Sequence, residues 1–227
     1  MPGPVKIDLH YDIGSPKSWI ALELLLRYAP VWNLEVELFP GLLGAVHKRA
    51  GNVYGQSRIK NAHAGIDLKR DFAMHQLNGS TPPFFGGPDH NFLGITRLLR
   101  AIKTSCSQEQ LLAASRALYA QCWTNHFPPT SPQFVSCLVP SVFTKEQLEA
   151  LITMSTSVQN KDAVKREAES LVDEYGAFGF PWIVVHMPDG RKECFFGADR
   201  LESMSFVLGP DYVYSGPFPR ASEKSRL

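Results

Sequence analysis

Four residues near the amino terminus, Ser15-Pro16-Lys17-Ser18, have the types and spacing for chemistry. Ser15 is a good helix N-cap and Pro16 suits the first helical position, with an apolar helical run from Trp19 to Tyr28 behind them. A side chain at a helix N-terminus sits where backbone N–H groups point outward and the dipole favours negative charge. A serine there cannot form a disulfide, so dithiol exchange is excluded at this position. It can donate one hydrogen bond to a thiolate carried by a bound molecule. A plain N-cap with Ser18 at N3 fits the same four residues, and they alone do not separate the two readings.

Two later segments have comparable potential. Tyr175-Gly176-Ala177-Phe178-Gly179-Phe180-Pro181-Trp182 precedes a strand-like run. A cis peptide before Pro181 turns the Phe180 backbone outward, leaving its N–H and C=O to pair with a peptide-like ligand. The alternative is a loop ending in a strand-initiating proline. In Gly197-Ala198-Asp199-Arg200, free N–H groups at a helix start can hold a carboxylate while the Asp199 side chain holds an ammonium, the two charges of an amino-acid headgroup. Asp199 as an ordinary N-cap is the competing reading. From Lys48 to Arg70 the chain has six Lys/Arg against one Asp, either a solvated helix face or the border of an anion site.

The elements that must position these groups follow from periodicity. Val5, Ile7, Leu9 and Tyr11 alternate with polar residues as a strand does. The helix from Trp19 is ended with the help of Pro30, and Leu34, Val36 and Leu38 form a second strand stopped by Pro40-Gly41. The opening fifty residues thus read β-α-β, a unit that calls for a parallel sheet. Helices are expected over 58–77, 91–104, 107–123, 144–153 and 158–175, with breaks at Thr81-Pro82-Pro83, Gly86-Gly87-Pro88, Pro128-Pro129 and Pro132. Strand character returns at Trp182 to His186, Asp189-Gly190 signals a hairpin, and Glu193 to Phe196 is the return strand. Asp199 then caps a last amphipathic helix with Leu201, Met204, Phe206 and Leu208. A β-α-β start and a β-β-α finish make one sheet: an α/β, thioredoxin-like domain (1–56 and 176–227) interrupted by an all-helical insert (57–175).

Composition narrows the function classes. The 227 residues are 44% hydrophobic and 20% charged, which excludes collagen-like, coiled-coil and wholly disordered chains. A net charge of +1 makes nucleic acid a poor partner, and no apolar run is long enough for a membrane span. The N-terminal residues resemble neither a signal nor a transit peptide, so the expectation is a soluble intracellular protein. Cys106, Cys122, Cys137 and Cys194 make no C-x-x-C pair and read as buried free thiols. The seven histidines make no H-x-x-x-H pair, which leaves zinc hydrolysis and a metal site unsupported.

Several of these segments together resemble the kappa class of glutathione transferases: the strand leading into Ser15-Pro16-Lys17-Ser18-Trp19, the Ala50-Gly51-Asn52 loop, the helical insert, Gly176-Ala177-Phe178-Gly179-Phe180-Pro181, and Phe196-Gly197-Ala198-Asp199-Arg200-Leu201. The resemblance runs from Tyr11-Asp12 to Gly209, and the two late motifs are shared with bacterial 2-hydroxychromene-2-carboxylate isomerases. It implies a homodimer with glutathione as co-substrate and no tightly bound cofactor. Carried over residue by residue, it implies that Ser15 is catalytic and faces the glutathione sulfur, with Pro16 and Lys17 beside it. Asn52 and Lys60 would reach the glycyl end or neighbouring polar atoms, Phe180 would pair its backbone with the cysteinyl unit beside cis Pro181, and Ala198 and Asp199 would bind the γ-glutamyl headgroup. Lys17 stands where the class has an aromatic residue, and Ala198 where it has a serine.

Thiol acidity explains how such a site would act. A thiol of pKa about 8.5 is only a few per cent ionised at neutral pH, and lowering that value by about 2 takes roughly 2.7 kcal/mol of preferential anion stabilisation. A hydroxyl hydrogen bond to a charged acceptor, about 1.5–3 kcal/mol, plus a helix N-terminus, about 0.3–1 kcal/mol, suffices. The thiolate then attacks an electrophilic carbon or a hydroperoxide oxygen. Two other functions fit the residues: a glutathione-dependent isomerase of an aromatic keto acid, and a non-catalytic glutathione- or peptide-binding adaptor. The final Ser225-Arg226-Leu227 is a variant of the S-K-L peroxisomal address, implying an import receptor as partner and a peroxisomal location, with mitochondrion or cytoplasm as alternatives.

Overall fold

The structure, a computed structural model, describes residues 3–52 and 58–220. The sheet has four strands in the order β2-β1-β3-β4, formed by β1 (Val5–Tyr11), β2 (Leu34–Pro40), β3 (Trp182–His186) and β4 (Lys192–Phe196). Val5, Ile7, Leu9 and Tyr11 are buried, as their alternation requires. β1 runs parallel to β2, with Ile7 opposite Val36, and antiparallel to β3, with Leu9 opposite Ile183. The parallel pair requires a crossover, which is helix α1 (Pro16–Trp32). At Asp189-Gly190, Met187 N–H donates to Arg191 C=O at 2.9 Å, and Gly190 takes the positive φ of +85° that the turn demands.

Helix α1 continues two residues past Pro30. In the last turn proline forfeits a single helical bond, and the true stop is Asn33, left-handed at φ 49°, whose N–H returns to Ala29 C=O. Helix α2 (Leu43–Ala50) follows β2 where the sequence reading names no helix; it is eight residues long and has no side-chain cap of its own. Then come α3 (Arg58–Met74), α4 (Leu93–Ser105), α5 (Gln108–Trp123), the four-residue α6 (Gln133–Ser136), α7 (Lys145–Ser155) and α8 (Val158–Tyr175). α3 stops short of residue 77 because Gln76 is left-handed, letting Leu77 N–H close on Phe72 C=O at 2.9 Å. Ser107 with Gln110, and Thr144 with Gln147, form reciprocal capping boxes that fix the starts of α5 and α7.

Both faces of the sheet are covered, which is why β3 is buried along nearly its whole length. Ile183 and Val185 join α1 and the helical block in the main core; Trp182 and Val184 join Val46 of α2, Ala168 and Leu171 of α8, and Phe180 in a second core. Trp19 and Phe72 are core residues, packed edge-to-face with centroids 5.7 Å apart. All four cysteines are free, but only Cys122 is buried; Cys106, Cys137 and Cys194 are half-buried. Among the described residues, no helix is long and apolar enough to cross a membrane.

Candidate active site

The first strand feeds the first helix at Asp12–Ser15, and Ser15 is the N-cap of α1, with Pro16 in the first turn. Ser15 is buried, and its Oγ accepts from Ser18 N–H at 3.3 Å while donating to Phe180 C=O at 3.2 Å. The Ser15 oxygen caps the helix as the plain N-cap reading expects, and its hydroxyl also donates to the loop before β3. That loop contains a cis Phe180–Pro181 bond, and the Phe180 N–H has no hydrogen-bond partner among the described residues. The Phe180 ring packs over Gly41, where a Cβ would fall 2.4 Å from the ring, so only glycine permits this approach.

Pro181 C=O accepts from Gly197 N–H at 3.1 Å, which brings the third segment to the same edge of the sheet. Gly197 has φ +110°, and the Asp199 carboxylate folds back over it. The N-cap of the last helix, α9 (Leu201–Leu208), is Arg200 with no side-chain cap bond, so Asp199 does not cap it. Asp199 is exposed and pairs with Arg200 at 3.0 Å, while the Ala198 and Asp199 N–H groups have no backbone partner among the described residues.

Asn52 follows the left-handed Gly51 that ends α2 and donates from Nδ2 to Phe178 C=O at 2.7 Å, tying it to the Phe180 loop. Ser15, Asn52 and Gly197 are thus each hydrogen-bonded to the Phe178–Pro181 loop, which joins four chain segments. Lys17 belongs to another network: its ammonium pairs with Asp71 of α3. Lys60 is exposed on the first turn of α3. Ser225-Arg226-Leu227 lies outside the described residues.

One residue of this site escaped the sequence reading. Asp12 is buried just below Ser15, where burial pushes its carboxyl up to about 6. Its Oδ1 accepts from Gly14 N–H at 2.7 Å and its Oδ2 from Leu43 N–H at 2.9 Å. Its only sequence signal is an acidic residue directly after a buried strand, a weak one. A cavity of about 460 Å³ is lined by Phe180 together with His10, Phe39, Lys103 and Leu171. It does not include Ser15.

A family described as the DSBA-like thioredoxin domain matches residues 6–208. Glutathione S-transferase kappa 1 of Homo sapiens is 31% identical over 224 residues, covering 97% of each chain. The chain belongs to the kappa-class glutathione transferase family. Glutathione S-transferase kappa 1 of Rattus norvegicus is also 31% identical, covering 96% of each chain. Among solved structures, a 2-hydroxychromene-2-carboxylate isomerase superposes with a TM-score of 0.72 at 19% identity, over 89% of this chain and 94% of its own. That likeness confirms the thioredoxin-like fold expected for the family, with its helical block between β2 and β3.

Proposed function

We infer that this chain is a glutathione transferase that uses Ser15 to keep the glutathione sulfur ionised for attack on small electrophiles, and that it can reduce hydroperoxides by the same thiolate. The observation that carries the reading is the Ser15 hydroxyl, held at the mouth of a 17-residue helix against the Phe180 carbonyl beside a cis proline. An extended cysteinyl unit laid along Phe180 would pair its N–H with that carbonyl and its C=O with the Phe180 N–H. The Ser15 proton, displaced from Phe180, is then the donor next to the sulfur. Binding and activation are one event: the ligand's amide releases the hydroxyl that its sulfur needs. Ala198 N–H and Asp199 take the γ-glutamyl carboxylate and ammonium, Pro16 backs the helix start, and Asn52 and Lys60 serve the glycyl end. Lys17, paired with Asp71, links α3 to the helix start beside the sulfur.

Turnover decides between reactions. Incubation with glutathione and a chloronitrobenzene should give the conjugate, with far slower isomerisation of a hydroxychromene carboxylate. The reverse ranking would assign the isomerase function. Saturable glutathione binding without either activity would leave an adaptor.

The broader reading includes a detoxifying role, a homodimer and a peroxisomal location. Exposed Ile59, Ile66 and Met74 recur on one face of α3, apolar surface that supports a dimer. Ser225-Arg226-Leu227 supports recognition by a peroxisomal import receptor. Light scattering would measure the mass in solution, and a fluorescent fusion with and without Leu227 would show where the chain goes.

A further inference from the structure

Helix α2 begins without a cap of its own. Its N-cap position is Leu42, which offers no side-chain hydrogen bond, and its first turn has no acidic residue. Such a start leaves several N–H groups to be satisfied from elsewhere. Leu43 N–H is satisfied by Asp12 Oδ2, from the end of β1. The other oxygen of that carboxylate holds Gly14 N–H, and the Asp12 carbonyl accepts from Ser15 N–H at 3.0 Å and from Tyr119 Oη at 3.2 Å. A negative group at this point also faces the positive end of the α2 dipole. At its far end, about 12 Å away by helix geometry, α2 delivers Asn52, whose N–H is fixed on His47 C=O at 2.9 Å and whose amide reaches Phe178 C=O.

We propose that Asp12 is a positioning residue: its buried carboxylate caps α2 from another element and couples the Ser15 turn to the Asn52 arm, so that the two walls of the glutathione site are held in one register. This rests on the glutathione reading for what the register serves, but the coupling itself is a property of the unliganded chain. One carboxylate with two acceptor oxygens is what the geometry requires, because the two N–H donors belong to different segments. An asparagine has one acceptor oxygen and an NH₂ in place of two acceptors, so it cannot bridge the two N–H groups, and both segments lose the shared anchor.

The test uses the full chain. Hydrogen exchange on the unliganded protein should show segments 12–18 and 42–51 opening at least about tenfold faster in Asp12→Asn, while α5 exchanges as before. Adding Leu42→Ser gives α2 a local cap; it should restore segment 42–51 and leave segment 12–18 fast. Calorimetry with glutathione should find Asp12→Asn and Asn52→Ala each about tenfold weaker, and the double variant about tenfold to twentyfold weaker instead of the hundredfold of independent sites. Unchanged exchange in either segment, or losses that multiply, overturns the proposal. So does an Asp12→Asn chain that fails to fold and is not restored by Leu42→Ser. If the unsubstituted chain does not bind glutathione, the function is misread, and the exchange measurements still decide the coupling.

Discussion

The two ends of the proposed site are built differently. At the Ser15 end the polar groups are buried and committed: the hydroxyl bridges Ser18 and Phe180, and both Asp12 oxygens hold backbone N–H groups from separate segments. At the Asp199 end the carboxylate side chain is 71% exposed, and its ion pair is with its own neighbour, Arg200. An end that sets the energy of a proton must be dry and fixed, since the strength of one hydrogen bond there depends on excluding water. An end that only holds opposite charges can work in water, at the weaker strength water allows. The contrast predicts that removing the Ser15 hydroxyl changes protonation and rate, and that removing the Asp199 carboxylate changes affinity alone.

The largest effect is expected from Asp12 and appears as a pH dependence of stability. Its carboxyl is raised in the folded chain from the ordinary 3.8 to about 6, chiefly by burial, against the lowering by the Leu43 and Gly14 N–H groups. Between those values the folded state binds more protons than the unfolded one. Asp12 therefore destabilises the fold progressively as pH rises from about 4 to about 6, by a total on the order of 3 kcal/mol, and its contribution is flat above that. Urea unfolding of the wild type and Asp12→Asn at pH 4.5 and 7 isolates this from other carboxylates. The stability difference between the two chains should shift in favour of the variant at the higher pH; the same difference at both values would mean that Asp12 is not a strained buried acid. Next is Ser15→Ala, for which glutathione affinity should stay within about twofold while turnover falls about a hundredfold, some 2.7 kcal/mol. Thiolate absorbance should show the bound sulfur titrating nearer to free glutathione. Equal loss of affinity and rate would make Ser15 a binding group and erase the contrast.

Much of the fold was legible because it depends on local pattern. The alternation at Val5, Ile7, Leu9 and Tyr11, the Asp189-Gly190 turn and the runs of α4, α5 and α8 announce themselves within a few residues. The Ser15 cap was legible for the same reason. What escaped depends on tertiary partners. α2 is short and its cap comes from Asp12, 31 positions earlier, so no window around Leu42 reveals it. Asp199 has the composition of a cap, yet the chain bends at Gly197 to present its carboxylate outward, and the helix starts two residues on. Lys17 cannot be placed from sequence because its partner is Asp71 in the next helical block. Pro30 misleads in the opposite sense: a local breaker is tolerated because only one bond of the last turn is lost.

At the exposed end, Asp199→Ala should weaken glutathione about tenfold, some 1.4 kcal/mol, with turnover at saturating glutathione nearly unchanged. The smallest effect, and the sharpest test of how that end works, is Arg200→Ala. In the unliganded chain Arg200 Nη1 pairs with Asp199 Oδ2 at 3.0 Å, the carboxylate that the proposed reading assigns to the ligand's ammonium. The ligand therefore competes with a resident cation, but for an exposed pair that is worth no more than about 1 kcal/mol. Removing the guanidinium should tighten glutathione binding about twofold at low salt, and the gain should fade in 0.5 M salt, where screening already weakens the resident pair. A loss of affinity instead would mean that the guanidinium turns on binding to meet the γ-glutamyl carboxylate, with Asp199 as its orienter. The headgroup would then be held by side chains at both charges, and the Ala198 N–H would be a bystander.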